Sequence, residues 1–223
     1  MNMKLFFQAI LKFLAGVILV GLLVFLPAGT IKFFNGWLLM GVLFVPMLLA
    51  GIVMMIKSPQ LLKKRLNAKE KRGEQSIIVK LSGLMFIGGF VVAGLDHRFG
   101  WFPLPLPVVI MGAVIFLIGY GLYAEVMREN AYLSRTIEVQ ENQKVIDTGL
   151  YAIVRHPMYT ATIILFLSIP LILGSAFSLL VFLPYPILIA KRAMDEEKLL
   201  EQELKGYREY TKKVKYRLIP FIW

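Results

Sequence analysis

Apart from Gln8 and Lys12, residues 5–26 contain only apolar side chains and glycines. A run of that length and character crosses a bilayer as a helix, which takes roughly 20 residues. The pattern returns over residues 33–56, 77–95 and 107–126. Two shorter runs follow, 158–173 and 176–189, split at Gly174-Ser175. The runs are continuous rather than alternating, so they describe helices and not barrel strands. The expected fold is all-α: a polytopic membrane protein of five or six spans.

Composition agrees. Hydrophobic residues make up 58% of the chain and charged residues 17%, against about 25% charged in soluble domains. There is no cysteine, which removes disulfides, thiolate nucleophiles and thiolate metal sites. The two histidines, His97 and His156, lie far apart without a ligand spacing around them, so no metal is expected. The net charge of +11 would suggest nucleic acid in a soluble protein. In a membrane chain, cationic loops meeting anionic headgroups explain it, and no nucleic-acid partner is expected. With six spans, 23 of the 25 lysines and arginines fall on one side, all but Lys32 and Arg98. That side is expected to be the cytoplasm, across a plasma (inner) membrane.

The chain reads as a single membrane domain, 1–223. Residues 1–127 form a four-helix part and 128–223 a C-terminal part containing a hairpin, 157–190. Pro46 is expected to kink the second span. The polar segment 57–80 is a basic, topology-setting loop, and Pro59-Gln60-Leu61-Leu62 starts a short interfacial helix. Gly88-Gly89, Gly112, Gly119 and Gly121 suit close helix packing. Asp96-His97 is expected to be a structural loop pair on the far surface. Residues 130–153, including the alternating Ile137-Glu138-Val139, are too polar to cross. In the tail, 191–223, Leu199, Leu200, Leu204, Tyr207 and Tyr210 recur at helical spacing as an amphipathic cytoplasmic helix. Residues 217–223 return to apolar character and tuck against the membrane or close over a pocket.

A hairpin brings its ends together. Tyr151, Arg155, His156 and Tyr159 should therefore meet Arg192, Glu196 and Glu197 at one membrane surface. His156 and Tyr159 are i,i+3, and Arg192 and Glu196 are i,i+4, so each pair shares a helix face. Pro157 suits a first helical turn, whose free N–H groups favour an anion. Arg192 suits an anion and Glu196 an ammonium, so a zwitterionic amino-acid group would satisfy both. Helix-end charges that merely pair with one another are the competing reading.

The motifs then resemble a known superfamily. Val139-Gln140, Thr148-Gly149-Leu150-Tyr151 and Arg155-His156-Pro157-Met158-Tyr159 carry the first half. Arg192-x-x-x-Glu196-Glu197-x-x-Leu200, Gly206-Tyr207-x-x-Tyr210 and Arg217-Leu218-Ile219-Pro220 carry the second. Together they resemble the isoprenylcysteine carboxyl methyltransferase and phospholipid methyltransferase superfamily. The resemblance implies an integral membrane enzyme that uses S-adenosyl-L-methionine without a Rossmann domain. It places the cofactor against Gln140, Gln143, Lys144, Val145, Ile146, Tyr151, His156, Pro157, Met158, Tyr159 and Glu196, and Arg192 beside the methyl acceptor. It implies a lipophilic acceptor entering from the bilayer: a carboxylate such as prenylcysteine, or a phospholipid amine. Gln143 stands where the eukaryotic carboxyl methyltransferases have a histidine, and Ala161 replaces a common glycine. Sterol reductases, which bind NADPH, resemble the same hairpin and are the alternative.

Overall fold

The computed structural model describes residues 3–66, 73–133 and 139–223. Lys69 to Arg72 of the basic loop, and Ile137-Glu138, lie outside the described residues. Within them the chain is helical and holds no strand, only an isolated bridge between Pro103 and Ser175. The helices are α1 (Met3–Ala28), α2 (Phe34–Lys57), α3 (Pro59–Leu66), α4 (Gly73–Phe99), α5 (Leu106–Glu129), α6 (Pro157–Leu173), α7 (Ala176–Phe182), α8 (Tyr185–Glu203) and α9 (Tyr207–Lys213). A 3-10 turn, Gly149–Ala152, precedes α6.

Five helical stretches are long and apolar enough to span a membrane: α1, α2, Gln75–Phe99 within α4, α5, and Ala176–Glu203, which joins α7 to α8. Helix α6 is apolar but shorter. The expectation of five or six spans is met. Side chains such as Phe7, Leu11, Leu14, Ile18 and Leu22 on α1 point outward and are largely exposed. So broad an apolar exterior belongs in lipid, since soluble monomers rarely expose patches beyond a few hundred Å². Helix α2 continues unbroken through Pro46.

The interior is held by close approaches and aromatic edges. Helix α5 packs along α6, where a Cβ on Gly112 would lie 2.7 Å from the Leu171 Cβ. Helix α4 packs on α7, where a Cβ on Gly89 would lie 2.2 Å from the Phe182 ring. Gly121 meets nothing within 4 Å, so it takes no part in the close packing expected of it. Phe86 sets its ring edge-on to Phe166, Phe182 and Tyr185.

At the surface opposite the site, Gly174 ends α6 in a left-handed conformation (φ 72°). The neighbouring Leu173 carbonyl accepts from Asn35 Nδ2 at 3.3 Å. Ser175 then caps α7 by accepting from the Ser178 N–H at 3.1 Å. The buried carboxylate of Asp96 accepts from the Ser175 hydroxyl and from the Phe102 N–H. His97 stacks on Phe33 at 3.9 Å. Both residues of that pair pack against the protein's own groups, but they lie at the end of α4 and not in a loop as expected.

The second arm of the hairpin does not stop where charges begin. Residues 176–189, interrupted by Pro184 as the sequence leads one to expect, break at Leu183-Pro184, and α8 continues to Glu203. The tail is also not one helix. Gly206 (φ 87°) separates α8 from α9. The apolar face of the tail is real, but it turns inward: Leu200, Leu204, Tyr207, Tyr210 and Val214 pack with Val139 and Val145.

Candidate active site

The two ends of the hairpin meet. Glu197 on α8 sits between three cationic or potentially cationic side chains. Its Oε1 accepts from Arg155 Nε at 2.6 Å and lies 3.2 Å from His156 Nε2; its Oε2 accepts from Arg217 Nε at 2.7 Å. The Arg155 guanidinium also donates to the carbonyls of Val214 and Lys215, both at 2.9 Å. A buried carboxylate surrounded in this way is a compensated structural anion rather than a free base.

Residues 214–223 fold over the start of α6. The Tyr216 carbonyl accepts from the Arg155 N–H and the Arg217 carbonyl from the His156 N–H, each at 2.9 Å. The Thr160 hydroxyl donates to the Leu218 carbonyl at 2.6 Å. The two backbone donors just ahead of α6 are thus occupied by the chain's own carbonyls, Pro157 carries no N–H, and Tyr159 and Thr160 donate to the His156 carbonyl at 3.0 and 3.2 Å.

Beside this cluster lies a cleft that opens to solvent. Gln143, Lys144, Val145, Ile146, Tyr151, His156, Met158, Tyr159, Arg192 and Glu196 all line it. Gln140 and Pro157 do not. Gln140 stands behind the wall, where its side chain bonds Lys64 of α3 and the Tyr132 carbonyl, and its N–H donates to Gln143 Oε1 at 2.9 Å. Pro157 is buried at the first position of α6.

Charge is distributed unevenly across the cleft. The Tyr159 hydroxyl accepts from Arg192 Nε at 3.1 Å and lies within reach of Glu196. His156 stacks on the Tyr159 ring, with Nδ1 3.7 Å from Glu196 Oε2. This end is polar and holds both signs of charge. Val145, Leu200, Leu204, Tyr207 and Tyr210, which also line the cleft, pack together as an apolar, aromatic surface.

The 3-10 turn is what presents Tyr151. Gly149 (φ 53°) lies so close to Glu129 that a Cβ there would sit 1.3 Å from its Oε1, while Glu129 Oε2 accepts from the Leu150 N–H at 3.1 Å. Asn130 Nδ2 then donates to the Tyr151 hydroxyl at 2.8 Å, and the Tyr210 hydroxyl donates to the Tyr151 carbonyl at 2.7 Å. Burial pushes the Tyr151 phenol up, so it remains neutral. Asn130, Tyr207 and Tyr210 were not assigned to the site, though the tyrosines left a signal in their helical spacing and in the Gly206-Tyr207-x-x-Tyr210 motif. Helix α3, expected as part of a topology-setting loop, touches the same region through Lys64 and through Arg65, whose Nη1 is 3.8 Å from Met158 Sδ.

Fold and site together define an integral membrane protein of helical build, with a small-molecule cleft where its spans end. Residues 107–205 match the family model described as phospholipid methyltransferase, so the superfamily resemblance is borne out over that stretch. The chain is also 26% identical over 139 residues to Delta(14)-sterol reductase TM7SF2 of Mus musculus, a match covering 54% of this chain and 32% of that protein. The chain thus spans about a third of that relative's length.

Proposed function

We propose that the protein is a membrane methyltransferase that binds S-adenosylmethionine in the cleft, open to the cytoplasm, and methylates a lipophilic acceptor drawn from the bilayer. The observation that carries this reading is the opposed pair on one face of α8: Arg192 and Glu196 both line the cleft, one turn apart. They suit the carboxylate and ammonium of an amino-acid group. The apolar, aromatic surface suits the adenosyl part. The excess of basic residues at this end supports a cytoplasmic opening.

When bound, the cofactor supplies a methyl group already activated as a sulfonium. The protein's own task is then mainly positioning. Tyr159 and Arg192 would hold the reacting ends in place. A carboxylate acceptor such as prenylcysteine needs only Arg192 to orient it. A phospholipid amine must first lose a proton, and His156 and Glu196 face the cleft where a base would act. Glu197 is already engaged by its three neighbours.

The test is binding of labelled S-adenosylmethionine to the protein in detergent, followed by turnover with a total lipid extract and identification of the product. Glu196→Ala and Tyr159→Ala are expected to weaken binding, and Arg192→Ala both to weaken binding and to lower turnover. Unchanged affinity in both of the first two variants would refute the site. The match to a sterol reductase supports a second reading, NADPH-dependent reduction; saturable NADPH binding without S-adenosylmethionine binding would favour it.

A further inference from the structure

Tyr207 and Tyr210 lie one turn apart on α9, their rings 5.6 Å from each other, and both line the cleft. Their hydroxyls are used differently. That of Tyr210 donates to the Tyr151 carbonyl at 2.7 Å. That of Tyr207 is buried and has no hydrogen-bond partner among the described residues, in a residue only 4% exposed. Buried polar groups are almost always paired, and an orphan in a cavity wall marks a place where something else supplies the partner.

The ring of Tyr207 has little freedom to look elsewhere. Gly206 turns the chain at φ 87°, and the Tyr207 N–H is fixed on the Leu204 carbonyl at 3.2 Å. Its ring is packed among Leu200, Leu204, Tyr210 and Val214. Burial first, then the charges of Glu197 and Glu196, push its phenol up, so it keeps its proton. The group is a donor lacking an acceptor.

We propose that the Tyr207 hydroxyl is a ligand-binding group, donating to an acceptor atom on the nucleoside part of the bound methyl donor. The assignment rests on the S-adenosylmethionine reading above. It follows from how the cleft is divided. Arg192 and Glu196 match the charged amino-acid end. Tyr207 packs with Leu200, Leu204 and Tyr210, which line the cleft together with Val145 and suit a flat, uncharged group. A purine nucleoside has that form, and its ring nitrogens and ribose oxygens are acceptors.

The experiment measures S-adenosylhomocysteine and 5′-methylthioadenosine binding, and thermal stability, for the detergent-solubilised full chain and for Tyr207→Phe and Tyr210→Phe. Losing one neutral hydrogen bond should weaken S-adenosylhomocysteine binding to Tyr207→Phe by about three- to tenfold. Methylthioadenosine, which lacks the amino-acid group, should lose the same factor. Tyr207→Phe should melt no lower than the parent, because it sheds an unpaired group. Tyr210→Phe should melt lower, because it breaks a bond within the protein.

Three results would overturn the assignment. Equal S-adenosylhomocysteine affinity in Tyr207→Phe means the hydroxyl does not touch the ligand. A loss confined to S-adenosylhomocysteine and absent with methylthioadenosine moves the contact to the amino-acid end. A melting temperature lowered as far as in Tyr210→Phe means the partner lies within the protein. Failure of the parent protein to bind either ligand removes the methyl-donor reading itself, and this assignment with it.

Discussion

Arg155 and Glu197 stand 42 residues apart in the chain and 2.6 Å apart in space, both side chains 7% exposed. The pair ties the entry of α6 to the far arm of the hairpin. Removing one member of a buried ion pair leaves the other uncompensated, at a cost of about 3–5 kcal/mol. Glu197→Ala is therefore expected to lower stability by that order in detergent unfolding. Arg217→Ala should cost much less, since its side chain is 33% exposed and a solvated partner is worth little. Equal losses would show that Glu197 is not the hub described.

Gly149 admits no side chain, both from its backbone and from the Glu129 carboxylate pressed against it. Gly149→Ala is expected to displace the turn that carries Tyr151 and to weaken cofactor binding at least tenfold, an order set by about 1.4 kcal/mol of strain. Glu129→Ala in the same chain relieves the clash but not the positive φ, so binding should recover only in part. Full recovery in the double variant would mean the backbone there is unstrained.

Helix packing offers a paired comparison within the spans. A Cβ on Gly89 would enter the ring of Phe182, which is fully buried, so Gly89→Ala should cost about 1–3 kcal/mol. Gly41 meets nothing within 4 Å, and Gly41→Ala should be neutral or stabilise α2 by about 0.5–1 kcal/mol. Melting temperatures of the two variants decide it; a harmless Gly89→Ala would contradict the α4–α7 contact.

Alkaline pH should unfold the site region. Burial pushes the phenols of Tyr151, Tyr207 and Tyr210 up, whereas an unfolded chain ionises its tyrosines near pH 10. Their contribution to stability is thus present below about pH 10 and is lost as pH rises through the folded-state values. Tyrosinate absorbance and helicity should change together for these three, and phenylalanine in their place should blunt the alkaline loss. Reversible ionisation of all nine tyrosines near pH 10 in the folded state would rule this out.

Much of the fold was legible because its cause is local. Residues 33–56 were expected to span, and α2 runs Phe34–Lys57; an apolar run of bilayer length carries its own explanation. The turn at Gly174-Ser175 was legible for the same reason. At the site, the meeting of Arg155 and His156 with Glu197 followed from the hairpin's connectivity. The contact of Glu129 with Gly149 did not, since nothing in either residue's surroundings points to the other. Nor did the sealing of the α6 entry by the Tyr216 and Arg217 carbonyls, because backbone acceptors leave no mark in a sequence. Gly121 was misjudged because a glycine's spacing does not say which neighbour its face meets. The break at Gly206 was hidden by apolar spacing that stays regular across it.

The fold of residues 214–217 over the start of α6 bears on how the protein is made. Among the described residues, all five helical stretches of spanning length precede Tyr216 and Arg217, whose carbonyls complete the α6 entry. Those stretches are therefore synthesised before the candidate site is complete. A nascent chain arrested at Lys213 is expected to resist carbonate extraction from membranes yet to bind no cofactor. Extension through Trp223 should restore binding without further insertion, and binding by the arrested chain would show that the centre does not wait for its last segment.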